Sequence, residues 1–330
     1  MKSSRRRSWH DGRVNRPLPA LPRRSFLVGA AGLGGALTLA AAGCTSIVAP
    51  SADPVVEAAW ALALRDAPLL RDASAPAADV RAAQADALAA EVTRACGVLD
   101  DGTSPEECVA APSPLPAAPP PADARAVLFD SRSSGSLHDA LGESRSLQDP
   151  YEAALVSAVD GGLVLALRGL DIDWRELTPE YAGGEVLDDD DAAVFADALI
   201  AEYALIYGMG VAAPRLAAEY RQSASTSADR HRVLRDRVIG ALEDAGVPVP
   251  VAEPGYAVVD GAPDPETDAA GFASALEDSC AQAWRQALVD AKEPAARAFA
   301  LQAAGLAQAG ASIFRGDGSA ALPGLPGLPA

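Results

Sequence analysis

Histidine, cysteine and aromatic residues are scarce in this chain: three His, four Cys and 5% Phe, Trp and Tyr among 330 residues. With so few aromatics and so much alanine, the core must be built from small aliphatic side chains. The dominance of Ala, Leu, Arg, Glu and Asp favours helix over sheet. No stretch alternates in the way a strand requires, and no internal repeat is visible. The absence of a Cys-x-x-Cys pair removes zinc-ribbon and thioredoxin-type chemistry. There is no glycine-rich phosphate loop, no Gly-x-Ser-x-Gly and no His-Glu-x-x-His. A serine hydrolase triad would need His138 or His231, and neither sits in a partner motif.

Positive charge is also missing from most of the chain. Residues 1–43 hold eight basic residues (Lys2, Arg5, Arg6, Arg7, Arg13, Arg16, Arg23, Arg24) and a single acid, Asp11. Taken from the totals of 27 basic and 45 acidic residues, this leaves 19 basic and 44 acidic, a net of −25, where the whole chain carries −18. Nucleic acid is excluded as a partner, because a polyanion needs a basic footprint. Electrostatic docking on anionic lipid is disfavoured for the same reason.

Those first 43 residues read as an address. A basic, Pro-containing stretch ends in Arg23-Arg24-Ser25-Phe26-Leu27. A moderately apolar Gly/Ala-rich run then closes with Ala41-Ala42-Gly43-Cys44. The pattern resembles a twin-arginine export signal, carried by Arg23 and Arg24, joined to a lipobox in which Cys44 is the lipidated residue. An ordinary transmembrane anchor is the alternative, since the run is close to the shortest that spans a bilayer. The expectation is a chain exported in folded form and held through lipid on Cys44 to the outer face of the cytoplasmic membrane. Two or three acyl chains hold firmly where one does not.

In an oxidising compartment the remaining cysteines matter. Cys96 and Cys108 flank the short acidic turn Leu99–Pro105, which predicts a disulfide between them. Such a bridge would contribute roughly 3 kcal/mol in the chain-entropy model. Cys280 lies mid-helix in apolar surroundings and reads as a buried free thiol.

The segments follow from composition. Residues 44–109 form an N-terminal helical region, with helices over Val55–Leu70 and Ala77–Val98. Residues 110–122 hold six prolines and read as a semi-rigid linker. Residues 123–190 form a helical segment and acidic connector, with Tyr151–Leu170 its clearest helix. Residues 191–316 hold four helical patterns: about 191–209 (with a resumption to 222 after Pro214 as an alternative), 227–245, 268–291 and 294–314. Residues 317–330 are a Gly/Pro-rich tail. Gly246, Pro248 and Pro250 stop the second pattern, Asp268 or Thr267 caps the third, and Pro294 opens the fourth. Four helices with such links predict an all-α, antiparallel bundle preceded by an additional N-terminal helical region.

Each of the four apolar stripes is interrupted by one polar residue: Glu202, His231, Glu277 and Gln302. Counted along an up-down-up-down bundle, all four fall in one layer. The acidic run Asp188–Asp191 with Glu185 reads as a solvated helix start, with weak Ca²⁺ binding as the alternative. Arg230, Arg232, Arg235 and Arg237, interleaved with Asp229 and Asp236, read as a salt-bridged outer face.

At these residues the chain resembles a known family. Ala201-Glu202-Tyr203-Ala204-Leu205-Ile206-Tyr207-Gly208, Arg230-His231-Arg232-Val233-Leu234-Arg235-Asp236, Ala245-Gly246-Val247-Pro248 before Tyr256, Leu276-Glu277 and Leu322-Pro323-Gly324-Leu325 are similar to DUF4439, the ferritin-like domain of actinobacterial Tat-exported lipoproteins. The resemblance implies a ferritin-like four-helix bundle and assigns no activity. The ferritin-like template has one Glu from each of two helices and a Glu-x-x-His from each of the others. Glu202, Glu277 and His231 match three of its ligands. Ala228 stands where the partner of His231 would be, and Gln302 and Gly305 replace the other pair, so the full di-iron centre is not present. What remains is a hydrogen-bonded or ionic group, with a site for a single Fe, Mn or Zn ion at Glu202, His231 and Glu277 as the alternative. The overall expectation is a lipid-anchored binding or interaction module with an unknown protein partner in the cell envelope and no expected cofactor. A metal-binding protein or metal-dependent oxidoreductase with a reduced ligand set is one alternative, and a binder of a small hydrophobic molecule within the bundle is another.

Overall fold

A computed structural model describes residues 52–97, 102–103, 112, 114–118, 123–144, 147, 150–181, 187–256 and 262–316. Among them the architecture is all-helical. In chain order the helices are α1 Pro54–Leu70, α2 Ala75–Cys96, α3 Ala124–Arg132, α4 Gly135–Glu143, α5 Pro150–Gly169, α6 Trp174–Leu177, α7 Asp189–Ala212, α8 Ala218–Asp244, α9 Ala269–Asp290 and α10 Pro294–Arg315. Arg23, Arg24, Cys44 and Cys108, the expected disulfide partner of Cys96, lie outside the described residues.

The ends of these helices follow local chemistry. Asp53, Asp123, Asp173, Asp188 and Asp268 each accept a hydrogen bond from a first-turn amide, which satisfies a donor with no partner inside the helix. Asp268 is thus the cap of α9, and Pro294 lies in the first turn of α10. Gly246 ends α8 at φ +70°, a conformation that costs glycine little. The acidic run before α7 is structural. Asp188 caps that helix, and buried Asp191 accepts the backbone amides of Lys292 (2.7 Å) and Glu293 (3.0 Å), tying the α9–α10 turn to the start of α7. α8 begins at Ala218, well before the expected 227. The stretch Ser223–Ser227 is rich in residues that favour caps over helix interiors, but Ala224 and Ser227 are buried and packing keeps them helical.

The four long helices α7–α10 pack together, but not in the expected up-down-up-down order. α7 runs antiparallel to both α8 and α9: Asp191 meets Lys292 at one end, and Gly208 lies against Leu276 toward the other. α8 and α9 are parallel, since Ser227 pairs with Glu277 and His231 lies beside Cys280. The reason is the connection between Ala245 and Asp268. It travels back along α7, where the Tyr203 hydroxyl donates to the Pro250 carbonyl (3.1 Å), the Tyr207 and Tyr256 rings lie 5.8 Å apart, and Arg215 pairs with Glu266. A chain of that length easily spans a helix of 27 residues, about 40 Å long.

The N-terminal helices belong to the same core. One continuous cluster joins Val55, Val56 and Trp60 of α1 and Leu88 of α2 to Phe195, Trp284 and Phe299. α5 packs along α10, and Ala117, from the proline-rich segment, accepts a hydrogen bond from Arg65 of α1 (2.9 Å). α7 is long and apolar enough to cross a membrane by length and composition. Here it is a core helix, with Phe195, Leu199, Leu205 and Met209 at most 1% exposed.

Candidate functional site

The interior of the bundle holds a buried ionic cluster on α7, α8 and α9. Glu202, His231 and Glu277 are each 0% exposed. The imidazole lies between the carboxylates: Nδ1 is 2.7 Å from Glu202 Oε2, and Nε2 is 3.0 Å from Glu277 Oε2. The three residues singled out by the polar interruptions therefore converge. They do so although α9 runs opposite to the assumed direction, because each lies well inside its helix and the layer survives the reversal.

Around this trio the remaining acceptors are filled. The other oxygen of Glu202 accepts the Trp284 indole N–H (2.7 Å) and the Cys280 thiol (3.1 Å). The other oxygen of Glu277 accepts Ser227 Oγ (2.6 Å) and Arg230 Nη2 (2.6 Å). Burial pushes the His231 pKa down, but Glu202 and Glu277 outweigh it and raise the pKa to about 9. At neutral pH the imidazole is doubly protonated and donates to both carboxylates. Burial pushes the Glu277 carboxyl up, and Arg230 and His231 more than reverse this, leaving it below the usual range. Cys280 is a buried free thiol. Burial and the nearby Glu202 raise its pKa well above the ordinary value, so it stays protonated. Two carboxylates face one imidazolium and one guanidinium, and charge balances without an added ion.

The sequence reading placed Arg230 on an outer face with Arg232, Arg235 and Arg237. Those three do pair near the surface, with Asp229, Asp236 and Glu180. Arg230 is 3% exposed and belongs to the cluster. The signal was available: residues 227, 230, 231, 234 and 238 follow helical spacing along one face. Trp284 and Cys280, one turn apart beyond Glu277 on the stripe of α9, had the same signature. Gln302 does not join. Its amide donates to the Arg132 carbonyl (2.9 Å), and it lines a separate cleft of about 300 Å³ with His138 and Phe299. The residue of α10 against Glu277 is Gly310, where a Cβ would lie 2.5 Å from the Glu277 carboxyl and from Arg230 Nη2.

For a metal, the donor atoms of Glu202, His231 and Cys280 lie within 4.8 Å of one another. Occupying them would require protons to leave both the imidazole and a thiol that holds its own tightly. The di-iron pattern of the ferritin-like template does not fit: Ala228 and Gly305 offer no ligand atom and Gln302 points elsewhere.

At one edge the cluster meets a cleft of about 410 Å³ formed by α5, α6, α8, α9 and α10. Its floor includes Ser227, Arg230, Glu277 and Gly310; its walls include Arg168, Trp174 and Phe314.

No curated protein matches the chain. A solved structure described as a conserved hypothetical protein from Mycobacterium tuberculosis is similar, with 31% identity over 38% of this chain and 95% of that one, and a TM-score of 0.36. Residues 194–327, which carry the whole Glu202–His231–Glu277 cluster and the floor of the cleft, match the family described as "Domain of unknown function (DUF4439)", and the chain belongs to that family.

Proposed function

We propose that this protein is a non-enzymatic binding module of the cell envelope, exported through its Arg23-Arg24 signal and held outside the cytoplasmic membrane by lipid on Cys44. Its bundle is ferritin-like, a reading supported by the single long crossover between α8 and α9, which ferritin-like folds share. The observation that carries the binding reading is the cleft of about 410 Å³ with the buried Arg230–Glu277 pair at its floor. Clefts of this size with a few convergent polar groups are characteristic of ligand sites. The Glu202–His231–Glu277 group supports the cleft from behind as a closed, charge-balanced scaffold. A photo-crosslinker placed at exposed Gln222 on the cleft rim should give a discrete adduct in native membranes. One placed at Asp244, at the far end of α8, should not. Equal labelling at both positions would remove the reading.

A second reading is a metal-binding protein or metal-dependent oxidoreductase, favoured by the clustered donors of Glu202, His231 and Cys280. It requires Fe, Mn or Zn near one per chain, lost in Glu202→Ala. Elemental analysis of the protein from its export compartment separates the two.

A further inference from the structure

We infer that the cleft beside the ion cluster binds a phosphate group carried by a molecule with an apolar arm. This deepens the binding reading above and rests on it. Arg230 supplies the first observation. Its side chain is 1% exposed, yet with His231 protonated its hydrogen bonding among the described residues is Nη2 to Glu277 alone. Its Nε is buried with no hydrogen-bond partner among those residues. A guanidinium carries five N–H donors, and leaving one buried and unmet is costly. Arg230 lines the cleft, and its Nη1 makes no hydrogen bond among the described residues, which leaves donors for a ligand there.

The second observation is the company Arg230 keeps. Trp174 takes two cations on its ring: the Arg230 guanidinium carbon is 4.5 Å from the ring centroid and that of Arg168 is 5.1 Å away. Such stacking fixes the planes of both guanidinium groups. Arg168 is further held by a hydrogen bond to the Ile172 carbonyl. Two oriented arginines therefore line one cleft of a strongly acidic protein, with Glu277 the only acid lining it among the described residues. Gln222, Ser223 and Thr226 add an amide and two hydroxyls along the α8 wall. Donors of this kind, in this number, suit the several oxygens of a phosphate better than the two of a carboxylate. Leu165, Ile313 and Phe314 add apolar lining that would take a hydrocarbon portion.

The test uses the full chain in a neutral detergent and follows the Trp174 indole N–H by nuclear magnetic resonance, assigned by its loss in Trp174→Phe. Inorganic phosphate at millimolar concentration should move this signal saturably, and hexyl phosphate should do so at lower concentration. Arg168→Gln changes a half-buried residue outside the ion cluster. It should weaken phosphate binding about tenfold, the loss of one charge-assisted contact, while the chain still melts in one cooperative transition. Hexyl phosphate without vesicle binding indicates a soluble phosphate ester. Binding to phosphatidylglycerol vesicles but not phosphatidylcholine vesicles, lost in Arg168→Gln, indicates a lipid headgroup. Either result supports the inference. A phosphate response undiminished by Arg168→Gln overturns it, as does no saturable response. If neutral hexanol moves the Trp174 signal where phosphate does not, the phosphate inference fails and the binding reading stands. If neither moves it, both fail.

Discussion

A fully buried imidazole ordinarily stays neutral, because burial penalises the charged form. His231 is held charged by a carboxylate at each nitrogen, with a pKa of about 9 against an ordinary 6.5. The folded protein therefore binds this proton more tightly than the unfolded chain. That contribution to stability is complete below pH 6.5 and disappears as pH rises through about 9. Its ceiling is roughly 3 kcal/mol. Glu277 acts in the opposite direction: its lowered pKa stabilises the fold above the usual carboxylate range and is lost as pH falls through the folded value. Melting temperature should accordingly plateau in mildly acidic solution and decline between pH 6.5 and 9. In His231→Gln the alkaline decline should flatten. A wild-type curve that is level across that alkaline range would contradict the charged imidazole. Glu202→Gln keeps the shape but leaves a buried excess of positive charge, and should cost about 3–5 kcal/mol in chemical denaturation.

Helix α10 approaches its neighbours through glycines, and the geometry decides the sign of their replacement. Alanine is the better helix former by about 1 kcal/mol. At Gly310 a Cβ would fall 2.5 Å from the Glu277 carboxyl, and at Gly305 it would fall 2.3 Å from an Asp160 oxygen. Asp160 is itself clamped by Arg132 through bonds of 2.8 and 2.9 Å. Neither acid is free to retreat, so overpacking outweighs propensity, and both alanine variants should lose about 1–3 kcal/mol. Gly240, in α8, has nothing within 4 Å of its would-be Cβ. Gly240→Ala should gain roughly 0.5–1 kcal/mol. Measuring the three side by side in urea tests steric fit against propensity; a gain at Gly310 would refute the close approach. At this scale much was legible in the chain. Asp268 and Pro294 marked helix starts, and the apolar stripes gave the faces. The direction of α9 was not legible, because periodicity within helices says nothing about the path of the loop from Ala245 to Asp268.

Across the whole molecule, Glu202, His231 and Glu277 were readable because a polar residue stands out on an apolar stripe. Arg230 was not, because its charged neighbours disguised an inward position. The union of the N-terminal helices with the bundle was also missed, although α10 carried the sign of it: a helix apolar on nearly all sides has no solvent face. Of its 22 residues 15 are buried, including Leu301 and Ala304 as well as Ala303, Leu306 and Ala307. One side meets α9 and another meets α5. A second polar network joins α1, α2 and α3 within the N-terminal helices, where buried Asp66 accepts Arg65 (2.7 Å), Arg81 (3.0 Å) and Ser131. Arg65 keeps Asp130, but loss of Asp66 would leave the buried Arg81 guanidinium without its carboxylate, so Asp66→Ala should destabilise the whole chain by about 3–5 kcal/mol in one cooperative transition. A fragment holding only residues 189–316 would expose the face of α10 that α5 covers. It should bind a hydrophobic dye and melt well below the full chain. A fragment as stable as the full chain, with no dye binding, would mean that α1–α5 rest on the bundle without completing its core.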